Sequence, residues 1–192
     1  MASPSPVNIC NRALQELGAK RITSLTENSR NAIACNEAYD VIRQATLREH
    51  RWNFAKARIQ LAADSAAPVF GRARAFTLPT DCLRVLEPYP EDDLNDRDWE
   101  VEDGAIYTDW DAPLNIRYIT DVTNVQKMDP CYREYLSARL ALALCELITQ
   151  SNQKKIHAVN WEKEAFAKAK KANAFEIVSQ KPVDDTFVTV RS

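Results

Sequence analysis

Glycine occurs three times in 192 residues, at Gly18, Gly71 and Gly104. It is the residue that lets a backbone take positive φ or pass close to a phosphate. Folds that depend on glycine-rich phosphate loops or on many tight hairpins are therefore disfavoured. What remains, 45% apolar and 27% charged, is a globular composition. A chain of this length buries roughly two-thirds or more of its unfolded surface, enough for a core without disulfide or metal staples.

The punctuation favours helices at both ends. Ser5 followed by Pro6 supplies an N-cap and a first-turn proline. Val7, Cys10, Ala13, Leu14 and Leu17 then fall at helical spacing and Gly18 stops the run, which predicts a helix over 6–17. A second helix over 29–50 follows from Cys35, Ala38, Tyr39, Ile42 and Ala45 on one face. Asp129-Pro130 opens a third over 130–150. Its end, LALALCELI, is apolar on nearly every face, as expected of a helix at the centre of a bundle. A fourth, over 152–177, carries Ala158, Trp161, Ala165, Ala169 and Ala172 on one face.

Between the helical halves the period changes. Residues 52–61, WNFAKARIQL, partly alternate and read as extended chain. Strands are predicted at Phe76–Leu78, Cys82–Glu87, Trp99–Glu102, Ala105–Thr108 and Asn115–Thr120, with Asp103-Gly104 as a hairpin turn. The fold class is α+β, mainly α: a four-helix bundle made of N- and C-terminal helix pairs, an inserted small antiparallel sheet and an extended C-terminal tail. The corresponding segments are 1–63, 64–129, 130–177 and 178–192. The tail, VDDTFVTVRS, is β-prone and lacks a partner in its own chain, a candidate for pairing with another chain.

The net charge is −2, so no global positive field would hold nucleic acid. The charge is distributed unevenly, +4 over 1–63, −9 over 64–130 and +3 over 131–192. Five cysteines without close pairs read as free thiols in a reducing compartment. MASPSPVN has neither the basic nor the apolar region of a leader, and the longest apolar run is too short to cross a membrane; both predict a soluble, unexported chain.

Chemistry is sparse. Cys131 and Cys145 stand fourteen residues apart on one helix, roughly 21 Å along its axis, which argues against a zinc site. The run Glu91–Asp111 holds ten carboxylates and one arginine. Glu91, Asp93, Asn95 and Glu102 fall near calcium-loop positions, but Asp96 stands where the loop needs glycine. A solvated, self-repelling loop is the plainer reading. His50 and His157 are the only histidines and no GxSxG turn occurs. His50, at a helix end, would interact favourably with the macrodipole as imidazolium. Trp99 and Trp110 beside Asp98, Glu100, Asp109 and Asp111 have the composition of a sugar-binding or glycoside-hydrolysing surface. Lys163, Lys168, Lys170 and Lys171 read as a solvated helix face.

Five stretches carry a resemblance: VNICNRALQELGAKRITSL, YDVIRQATLREHRWNFAKARIQL, FTLPTDCLRVLEPYP, LNIRYITDV and DPCYREYLSARLALALCELI. Over residues 7–150 the chain resembles the head-to-tail adaptors of short-tailed bacteriophages, often called tail tubular protein A. Arg51 departs from the pattern, since relatives often have proline after the histidine.

The resemblance implies a virion protein, made in the host cytoplasm, without enzymatic activity or cofactor. It implies a ring, typically dodecameric, that docks under the portal, receives the tail nozzle and continues the channel through which genomic DNA passes without specific binding. Thr186, Phe187, Val188, Val190 and Arg191 are expected to contact the portal. Asp92, Asp93, Asp96 and Asp98 are expected on the tail side or facing the channel. Trp52 and Phe54 are expected where the second helix meets the sheet, Leu83 and Val85 on the sheet's inner face, and Asn11 in a hydrogen bond within the bundle. The alternative is a carbohydrate-binding or glycoside-hydrolysing tail protein that uses the Trp-bearing acidic loop. A related neck or tail-completion protein with another ring neighbour shares the same features.

Overall fold

The computed structural model describes residues 3–86 and 99–176. Ser5 Oγ accepts the Asn8 N–H at 3.2 Å and starts α1, Pro6–Glu16. Gly18, at φ +68, ends it. The Ala19 N–H reaches Leu14 O at 2.9 Å and the Gly18 N–H reaches Gln15 O at 3.0 Å, the paired bonds of a left-handed helix stop. A Cβ on Gly18 would lie 2.8 Å from Lys154 Nζ, which donates to Leu17 O at 2.5 Å. Asn11, buried, receives the Ile22 N–H and donates to the Ile22 carbonyl, both at 2.8 Å, and so fixes the next loop against α1.

Ser29 caps α2, Arg30–Glu49. Asp129 Oδ1 accepts the Cys131 and Tyr132 N–H groups at 2.7 and 3.1 Å and starts α3, Pro130–Thr149. Ser151 caps α4, Asn152–Phe175. α3 packs against each of the other three helices. It buries Tyr132, Tyr135, Leu136, Ala138, Leu140, Ala141 and Leu144, more of its circumference than an amphipathic stripe requires. Along α4 the buried positions Ala158, Ala165 and Ala169 are small and let it lie close to α3. Arg12 bridges the group, pairing with Glu134 at 2.8 Å and standing 4.8 Å over the Trp161 ring.

A 3-10 turn at Asn53–Ala55 leads into the strands: β1 Lys56–Leu61, β2 Arg74–Thr77, β3 Cys82–Val85, β4 Trp99–Glu102, β5 Ala105–Thr108 and β6 Leu114–Thr120. They form two three-stranded antiparallel sheets, ordered β1-β6-β3 and β2-β5-β4, where one small sheet was expected. β6 accounts for the difference. Its alternating Leu114, Ile116 and Tyr118 are buried, and it takes β1 on one edge and β3 on the other. The β4–β5 hairpin closes through Asp103 at φ 43 and Gly104 at φ 73, the left-handed pair that an Asp-Gly turn supplies.

Two cores result. The larger joins the helices; the smaller, Leu61, Phe76, Ile106, Leu114, Ile116 and Tyr118, draws on strands of both sheets. Leu83 packs on the first and Val85 on the second, so they do not share one inner face. Trp52 is likewise turned toward the helices: its indole N–H donates to Thr46 O at 2.9 Å and its ring lies 5.1 Å from Tyr132. Phe54 stands 4.8 Å from Tyr132. Arg43, 2% exposed, ties α2 to the end of β6: it pairs with Asp121 and Asp40 and donates to Val122 O at 3.0 Å.

Candidate functional site

Two groups of expected site residues, Thr186, Phe187, Val188, Val190 and Arg191, and Asp92, Asp93, Asp96 and Asp98, lie outside the described residues. So do Glu91 and Asn95 of the calcium-loop reading. Among the described residues no group of three or more His, Cys, Asp or Glu is placed to hold a metal ion.

The hairpin brings together the rest of the acidic, Trp-bearing surface and two arginines that the sequence did not single out. Arg72 lies 3.4 Å from Glu100 and 3.0 Å from Asp109. Arg74 lies 2.7 Å from Asp111 and donates to the Asp109 and Trp110 carbonyls at 3.1 and 3.0 Å. The Ala73 N–H reaches Asp109 Oδ1 at 2.8 Å. This bond, with that from Arg72, holds the Asp109 carboxyl below the ordinary aspartate value. A glycosidic general acid needs the opposite shift. Trp99 and Trp110 pack against the smaller core and are held as packing residues.

Set against protein-family models and curated proteins, the chain matches none of them.

Beside the hairpin, the loop 62–73 contains Pro68-Val69-Phe70-Gly71. Val69 is 97% and Phe70 88% exposed, at the mouth of an open cleft of about 580 Å³ bordered by Asp64, Arg72, Glu102 and Tyr107. Sequence reading passed over them, because an apolar pair in a turn-rich stretch is ordinarily core. The surrounding turn-forming residues, Pro68 and Gly71, were the available signal.

His50 is the last-turn cap of α2, half-buried, with its ring 4.7 Å from Trp52 and 6.5 Å from Phe166. Burial, then the neighbouring Lys170 and Lys56, push its pKa below the ordinary value. The expected benefit of an imidazolium at the helix end is thus outweighed by desolvation and by cations brought in from α4 and β1. His157 is exposed. Cys10, Cys35 and Cys145 are buried thiols and Cys82 and Cys131 are partly buried. A hydrogen bond with Cys35, then burial, push the Cys10 thiol up, which makes it unreactive. Lys170 lies 4.4 Å over the Phe166 ring and Lys171 5.8 Å over Phe175, while Lys163 and Lys168 are exposed. That face reads as a solvated covering of apolar surface. Among the described residues no helix is long and apolar enough to cross a membrane.

Proposed function

We propose that this chain is a structural head-to-tail adaptor of a phage virion, which closes into a dodecameric ring between portal and tail nozzle and continues the DNA channel. The observation that carries the reading is the nearly complete exposure of Val69 and Phe70 side by side at a loop tip. A folded chain gains nothing from displaying such a pair to water, and a contiguous apolar projection marks a surface that another protein covers. A heterologous contact of this kind closes into a ring when its rotation does.

In this reading the four helices form a bundle around the ring with α3 central and the two sheets face the tail side. The segment 178–192 reaches the portal, with Phe187 as its apolar anchor. The +4 and −9 segments meet across the copy-to-copy contact and orient it. The carbohydrate reading has less support, since Asp109 is tied to Arg72 and both tryptophans are packed inward.

Light scattering of the protein alone and with the portal ring of its own phage tests the proposal. A ring-sized or portal-dependent assembly is expected; a monomer that ignores the portal overturns it. Deleting residues 182–192 is expected to abolish portal association, and unchanged association removes the portal assignment of the tail.

A further inference from the structure

β1 stands at an edge. It ends the order β1-β6-β3, and among the described residues no strand pairs with its outer side. Every second residue there turns its N–H and C=O away from β6. Directly opposed residues of an antiparallel pair share a face, so Ile59, opposite Ile116, belongs to the face of the smaller core. Ile116 is 2% exposed and Ile59 37%. The smaller core is thus left open on the β1 side. The other sheet edges differ. Arg48 of α2 donates to the Leu83 carbonyl of β3, and the Asp64 N–H donates to Ala75 O of β2 at 2.8 Å. β4 is acidic, with Glu100 and Glu102, whereas β1 carries Lys56 and Arg58, both exposed.

The end of α4 meets the start of β1 at one side chain. Asn53 Oδ1 accepts from Lys56 Nζ at 2.9 Å, and Asn53 Nδ2 reaches Glu176 Oε2 at 3.5 Å. Glu176, which residues 177–192 follow, thus stands beside the entry to β1. The segment 177–184 can span up to ~26 Å. The next residues, DTFVTV, join one acid to β-branched and aromatic side chains that favour a strand.

We propose that the outer edge of β1 is the docking site for residues 185–190 of the same chain, which add to it as a parallel strand. With Asp185 beside Lys56, Thr186, Val188 and Val190 fall beside Ala57, Ile59 and Leu61 on the core face. Phe187 and Thr189 then fall beside Arg58 and Gln60 on the other face, an aromatic ring against a guanidinium. The antiparallel alignment that keeps Val188 beside Ile59 sets Arg191 beside Lys56, and like charges directly opposed destabilise a pair. Pairing on β4 would set Asp185 beside Glu100 and Glu102. Main-chain hydrogen bonds supply the affinity, and Ile59 the apolar contact. The short connection from Glu176 keeps the segment at high effective concentration, which favours its own β1 over that of a second copy. The assignment goes beyond the adaptor reading and does not depend on it; where the same residues bind a portal, they must first leave β1.

The test is photo-crosslinking from benzoylphenylalanine placed at Phe187 in the full chain, with mass mapping of a mixture of isotope-labelled and unlabelled protein. Cross-links to the peptide spanning Lys56–Leu61, formed within single chains, are expected. Amide exchange supplies a second readout. Val188→Asp is expected to speed exchange in β1 several-fold and to leave α3 at the parent rate, which separates lost pairing from lost fold. Asp185→Lys is expected to do the same, and Asp185→Lys with Lys56→Asp to restore protection. Cross-links that join labelled to unlabelled chains assign the edge to a second copy and overturn the proposal. So do cross-links that avoid β1, or β1 exchange unchanged by Val188→Asp. Portal-dependent assembly, read separately by light scattering, reports on the adaptor reading alone.

Discussion

Asn173, near the end of α4, and Asn53, in the turn before β1, are clasped to each other: the Asn53 N–H donates to Asn173 Oδ1 at 2.7 Å, and Asn53 Nδ2 donates to the Asn173 carbonyl at 2.8 Å. The Asn173 amide also donates to Arg51 O at 3.3 Å. One buried side chain thus satisfies the backbone at the junction between helices and sheets. Asn173→Leu strands the Asn53 N–H and loses the bond to the Arg51 carbonyl, at a cost of about 1–3 kcal/mol. Urea unfolding measures it, and a loss below the precision of the midpoint would show that water replaces the clasp.

Arg43 is a further link between the two parts. Its guanidinium is almost wholly enclosed, with Asp121 partly buried and Asp40 exposed. Burial pushes Asp121 up, and the bonds from Arg43 and Gln44 outweigh it and hold its pKa below the ordinary value. Arg43→Met leaves Asp121 without its ion-pair partner and is expected to cost about 3 kcal/mol, the lower end for a buried pair because both carboxylates retain some water. Arg43→Met combined with Asp121→Leu is expected to recover much of that loss, as a double-mutant cycle by denaturation reads.

His50 makes stability depend on pH with a defined sign. Its folded pKa lies below the ordinary 6.5, so the unfolded chain binds the proton more readily. This site leaves stability undiminished above that value, and stability falls as pH drops from about 6.5 toward the folded pKa. His50→Gln, which cannot take up the proton, should flatten this part of the curve in thermal melts across that range. An unchanged slope would assign the dependence to another group.

Val69→Ser with Phe70→Ser tests the exposed tip. Neither residue packs in the folded chain, so thermal stability is expected to change by no more than about 0.5 kcal/mol. Assembly measured by light scattering is expected to fall. A variant that assembles as the parent does would remove the tip from the interface.

Local signals were legible in the residues. Ser5-Pro6, Gly18 and Asp129-Pro130 mark helix ends by chemistry that acts within four residues, and the ends lie within two residues of the spacing's prediction. The strands were legible for the same reason. Their partition into two sheets was not, because it depends on β1 finding β6 more than fifty residues away. The place of His50 at the end of α2 was legible, but not its burial beside Trp52 and Phe166, which lowers its pKa most, nor Lys170, which arrives from α4. At the candidate surfaces, alternation in KARIQL was visible, but only the strand order puts it at an edge. Only the flanking Pro68 and Gly71 distinguish Phe70, displayed, from Phe76, fully buried six residues later.

Separate cores imply separate opening. Among the described residues the small core holds six buried side chains against the much larger set around α3, so each strand of the second sheet has less burial to lose when it lets go. The strands of the second sheet should therefore yield as a unit while the helices stay closed. Amide exchange in β2, β4 and β5 that outruns exchange in α3 is the expected signature. The molecule then has a yielding end and a firm end, and a neighbour that reshapes the sheets can do so without loosening the helices.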